Sequence, residues 1–159
     1  MDYTVAAKQI ASLSGTDLRP AEREALAVLT ELGAPQALLR FYGEFEPQGE
    51  AEIGKVRLLP IADVVVENTE AVPGSDLRPH GFVTFATTIY GDAYCFDTGL
   101  EAARPDAPVV LMTHEVIFED LDRDAIMGAR KIVATGFDDW LAQFVAGGLE
   151  TEPNYPSRE

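Results

Sequence analysis

The sequence predicts an α+β protein: a mixed, largely antiparallel sheet with helices before it and one further helix packed on it at the C-terminus. Three observations carry that class. Apolar residues recur at helical steps through the first third of the chain. Between residues 55 and 134 they gather instead into short strand-like runs broken by Gly, Pro and Asp. Helical spacing then returns at Phe137, Trp140, Leu141, Phe144 and Val145. A chain of 159 residues suits one domain with a full core, expected over 1–149, with 150–159 a flexible tail.

Taken in order, Ala6, Ile10 and Leu13 mark a first helix that breaks at Ser14-Gly15-Thr16-Asp17. Pro20 suits the first turn of a second, with Glu22 and Glu24 near its positive end, an apolar stripe of Leu26, Leu29 and Leu32, and Gly33 as its stop. A third begins near Pro35 and aligns Leu38, Phe41, Tyr42 and Phe45. Residues 55–59 form a strand ended by Pro60. The stretch 61–70 is spaced as a short helix, while Val64-Val65-Val66 favours a strand. Turn formers crowd 72–81, which reads as a surface loop.

Strands over 82–87 and 93–96 follow, joined at Tyr90-Gly91-Asp92 into an antiparallel hairpin. After a loop at 99–107, residues 108–113 form the next strand, and 114–127 is an acidic connection without a clear period. A short strand at 131–134 precedes the final helix, for which Thr135 is the expected N-cap and Gly147-Gly148 the stop.

Composition narrows the function. Twenty-seven acidic residues oppose twelve basic ones, for a formal net charge of -15 and a pI near 4.4. That field repels phosphate backbones and anionic membranes and attracts basic partners, so neither nucleic acid nor membrane is expected as a partner. No apolar run approaches the length of a bilayer span, and the first residues lack the pattern of a secretion signal. A lone cysteine, Cys95, allows no internal disulfide. Cytoplasmic residence is the expectation.

Residues 81–144 carry a resemblance. Phe85-Ala86 ends one strand, Gly91-Asp92 makes the turn, and Tyr94-Cys95-Phe96-Asp97 closes the next with alternating aromatics. Pro108 through Glu115 supplies a following strand, and Ala134 through Leu141 a strand-to-helix step. Upstream, Ala34-Pro35 through Gly43 and Leu58-Leu59-Pro60 through Asn68 fall in the matching order. Together these segments resemble the SUKH superfamily of bacterial toxin-immunity proteins and fungal regulators of cell-wall synthesis. The resemblance implies a mixed sheet with packed helices, no catalytic residues, no cofactor, and a protein partner: the C-terminal domain of a secreted toxin. A basic nuclease would complement the charge.

Two other classes stay open. One is a regulatory or scaffold module that binds a cellular protein. The other is a small hydrolase using Asp92, Asp97 and His114, which would have to converge within a few ångströms. Against the hydrolase, the chain has two histidines and lacks His-x-His, His-Glu-x-x-His and Cys-x-x-Cys spacing, so no metal site is expected. The plainer reading makes Asp92 and Asp97 turn caps and Cys95 a small buried hydrophobe.

The expected partner-binding set is Tyr90, Asp92, Asp97, His114, Glu115, Phe118, Glu119, Asp120 and Asp122. In it, Phe118, with Leu121, would anchor an acidic patch. The alternative is that 114–127 only solvates a connection, with Phe118 and Leu121 packed inward.

Overall fold

The computed structural model describes residues 1–101 and 104–155. Helix α1 (Tyr3–Ser14) starts where the Asp2 carboxylate accepts the Thr4 amide, and it ends at Gly15, whose φ of 72° suits a residue without Cβ. It buries Ala6, Ala7 and Ile10, while Leu13 faces solvent. Pro20 does not open the second helix. Leu18–Arg19 (β1) pairs antiparallel with Glu46–Pro47 (β2), and the Ala21 amide bonds the Tyr42 carbonyl, so the chain is extended there. Helix α2 (Arg23–Leu32) begins only after it. Helix α3 (Gln36–Phe45) follows Pro35 and buries Ala37, Leu38, Phe41 and Tyr42.

Among the described residues the main sheet has six strands in sequential order. They are β3 (Ala51–Ile53), β4 (Val56–Leu58), β5 (Phe82–Thr88), β6 (Ala93–Asp97), β7 (Val109–Met112) and β8 (Lys131–Ala134). Every neighbouring pair is antiparallel, and the parallel component is an isolated bridge between Met112 and Asn154. A strand as short as β3 leaves little trace in sequence.

Between β4 and β5 the chain is helical twice. Helix α4 (Ile61–Thr69) settles the competition at Val64-Val65-Val66: Pro60 sits at its N-cap, and Ile61 and Val64 enter the core. The expected loop at 72–81 is instead the short helix α5 (Gly74–Leu77) and a 3₁₀ turn, Arg78–His80. Leu77 is fully buried, and a Cβ on Gly74 would lie 2.1 Å from the Glu67 carbonyl oxygen. The side chain of Asn68, also buried, pairs with both backbone groups of Thr84 at 2.8 and 2.9 Å, and so stitches α4 to β5.

Central strands β5, β6 and β7 are buried along their whole length, as strands covered on both faces must be. One face packs a large core: Phe85, Tyr94, Phe96, Val109 and Leu111 meet α1, α3 and helix α7 (Phe137–Ala146). There the Trp140 ring stacks on Phe144 at 4.9 Å and meets Phe85 edge-on at 4.7 Å. Its indole N–H is buried without a hydrogen-bond partner among the described residues.

The opposite face holds a smaller core of Phe82, Ala93, Cys95, Val110 and Met112. It is covered by Leu77, by Phe118, and by Ile126 and Ala129 of helix α6 (Arg123–Ala129). Helix α7 is capped from a distance rather than by Thr135. Asp106 accepts the Phe137 amide at 3.0 Å, and Thr135 itself donates to Asp139. Residues 150–154 of the expected loose tail are tied to the sheet, with Tyr94 donating to the Glu150 carbonyl and Lys131 to that of Glu152. Residues 156–159 of that tail, and 102–103 of the expected 99–107 loop, lie outside the described residues.

Candidate functional site

The hairpin of β5 and β6 places one aspartate at each end of β6. At the turn, Gly91 has a φ of 96° that only glycine adopts without strain, so the chain reverses tightly into Asp92. Asp92 is 4 % exposed, and one carboxylate oxygen accepts both the backbone amide of His114 at 3.0 Å and its ring Nδ1 at 2.7 Å. A carboxylate at Nδ1 keeps a proton on that nitrogen and fixes the orientation of the ring. The Thr88 hydroxyl accepts the Asp92 amide at 3.2 Å and completes the turn.

Asp97, 6 % exposed, does more than end a strand. It accepts the Gly99 amide at 3.2 Å, Arg123 at 3.0 Å and Arg130 at 3.0 Å, the two arginines reaching separate oxygens. Arg123 also donates to the His80 carbonyl and lies 5.2 Å from the Phe82 ring centre. Asp97 therefore fastens both ends of α6 to the sheet.

Asp92, Asp97 and His114 do not converge. Five residues of extended chain put the two carboxylates roughly 15 Å apart, so only Asp92 and His114 meet. Among the described residues the His114 ring is bonded to the Asp92 carboxylate and not to a Ser, Thr or Cys side chain, and Cys95 is buried, with burial pushing its thiol up to about 12. Among the described residues no group of three or more His, Cys, Asp or Glu side chains is placed to hold a metal ion. No helix of the described residues is long and apolar enough to cross a membrane.

The segment 113–122 runs between these two fastenings. Its expected anchor, Phe118, is 0 % exposed and belongs to the smaller core, so it cannot touch a partner. Leu121 packs there as well. The apolar residue presented to solvent is Ile117, 78 % exposed, with the exposed carboxylates of Glu115, Glu119 and Asp120 around it in sequence. Asp122 is exposed but occupied: it caps α6 by accepting the Ala125 amide at 2.8 Å. Sequence reasoning missed Ile117 because an irregular segment has no period to say which of two adjacent apolar residues turns inward.

Beside Asp92 and His114 opens a cleft of about 590 Å³ lined by Lys55, Tyr90, Glu115, Glu152 and Tyr155. Tyr90 is exposed, and the Lys55 ammonium stands 5.7 Å from its ring centre. The structure thus brings Tyr90, Asp92, His114 and Glu115 together, places Glu119, Asp120 and Asp122 on the adjoining segment, and sets Asp97 at the far end of the strand. No family model matches the chain, and no curated protein matches it.

Proposed function

We propose that this chain is a non-catalytic binding protein of the immunity type, which neutralises the basic C-terminal domain of a bacterial toxin by covering it in the cytoplasm. One observation carries the reading: an apolar side chain, Ile117, held out among acidic residues on a segment fastened at each end by hydrogen bonds to a buried aspartate. An ordinary solvated connection has no need of such fastenings. An apolar side chain ringed by polar groups has the core-and-rim layout of an interface, and fastening it beforehand reduces the ordering cost of association.

The net charge of -15 selects a basic partner. Further support comes from the resemblance to the SUKH superfamily, whose members act by binding other proteins. The two buried aspartates act as fasteners rather than as a reactive pair, which favours binding over hydrolysis.

Affinity purification of the tagged chain from its source cells, at low and high salt, tests this. Recovery of one protein whose basic C-terminal domain is toxic when expressed alone is the expected result, with retention lost at high salt and with Glu119→Lys/Asp120→Lys. Recovery of non-toxic cellular proteins would replace the reading with a regulatory module. Unchanged affinity and salt slope in the charge-reversed variant would remove the acidic segment as the interface.

A further inference from the structure

We infer that the cleft beside Tyr90 is a receptor for a cationic side chain, an arginine that the basic partner inserts between Tyr90 and the carboxylates of Glu115 and Glu152; this rests on the function proposed above. The cleft already holds a cation of its own. Lys55 projects from the turn between β3 and β4 and places its ammonium 5.7 Å from the Tyr90 ring centre, within the range of a cation–π contact. That turn is fixed to the hairpin by the Ile89 amide donating to the Lys55 carbonyl. The ring face therefore presents its negative quadrupole at a place built to meet positive charge.

Tyr155 is a second exposed ring on the cleft, held near by the bridge of Asn154 to Met112. The side-chain oxygens of Glu115 and Glu152 give a planar guanidinium the acceptors it needs, and arginine stacks on aromatic rings better than lysine does. His114 completes the floor, with Asp92 holding its Nδ1. An arriving arginine displaces Lys55 from Tyr90, and Lys55 then acts as an internal competitor.

The test titrates N-acetyl-arginine amide into the full chain and follows the backbone amide resonances of Tyr90, Asp92, His114 and Glu115. The isosteric, uncharged citrulline derivative is the control. Saturable shifts with arginine and none with citrulline are expected. Lys55→Ala should tighten binding about two- to fivefold, the worth of one exposed cation–π contact, and Tyr90→Leu should weaken it by a similar factor.

Lys55 and Tyr90 are both exposed, so neither change threatens the fold. Equal shifts with citrulline, or an affinity that neither substitution moves, would overturn the assignment of the cleft. A toxin complex that still forms under that result would leave the immunity reading standing on the Ile117 segment. Arginine binding with no toxin complex would do the reverse.

Discussion

Strand β6 ends in a buried aspartate on either side, and the two ends are held in opposite ways. At one, Asp97 sits between two guanidiniums and a backbone amide. At the other, Asp92 meets a single imidazole that is partly open to a cleft. The first end is a fastening whose carboxylate is fully engaged inside the protein. The second keeps polar surface turned outward, where a partner can use it. Residue type did not decide this difference; the groups brought in from 22 to 33 residues away did.

The comparison breaks if the two ends cost the same to disturb. Asp97→Asn leaves two guanidiniums, each about 30 % exposed, without their counter-charge. It should lower unfolding stability by about 3 kcal/mol in a urea titration, the range for breaking a buried ion pair from one side. Cys95 lies between the ends, and its thiol is raised by burial from an ordinary 9.0 to about 12. The folded chain therefore keeps that proton more tightly than the unfolded one. The thiol's contribution is complete below pH 9.0 and declines through the window up to about 12, by about 1.4 kcal/mol per pH unit. Urea midpoints on the two sides of that window should show the loss, and Cys95→Ala should remove the part that begins at pH 9.0 while leaving the part above pH 10.0 that the buried Tyr42 and Tyr94 hydroxyls add, since burial raises them from an ordinary 10.0.

Asp92→Asn retains an acceptor for the His114 amide and should cost about 1 kcal/mol. A loss equal to that of Asp97→Asn would erase the distinction between the ends. The smallest effect sharpens the contrast. Ile117→Ser should shift stability by no more than about 0.5 kcal/mol, since the side chain is exposed. It should nevertheless weaken the proposed complex by about 2 kcal/mol in calorimetry.

Much of the fold was legible. The periods of Phe137, Trp140, Leu141 and Phe144, and the turn at Gly91-Asp92, located the closing helix and the central hairpin correctly. The region 72–81 was misread because its composition of turn formers is blind to Leu77 finding the smaller core. Helix α6 was invisible for a related reason. Only Ile126 and Ala129 of its residues are fully buried, and Asp97, far off in sequence, helps to hold it.

At the site, sequence supplied Asp92, His114, Glu115 and Tyr90 as candidates but not their division. It offered Phe118 as the anchor where the structure presents Ile117. Lys55, Glu152 and Tyr155 carried no signal at all, because the cleft they line is made by the return of the C-terminal segment to the sheet.

The sequential strand order bears on how the chain acquires its structure. Each strand of the main sheet pairs with those next to it in sequence, and the β3–β4 and β5–β6 hairpins close the shortest loops, so these two form fastest, ahead of the pairings across 59–81 and 113–130. Helix α1 has no such neighbour. Its Tyr3 hydroxyl bonds Asp138, 135 residues away at 2.6 Å, and its ring packs edge-on against Phe41 and Phe137. During synthesis, the apolar face of α1 can meet α3 and β3 as they emerge, whereas the Tyr3 bond to Asp138 forms only with the closing helix. Helix α1 is therefore seated in two stages, on α3 and β3 first and against the closing helix last.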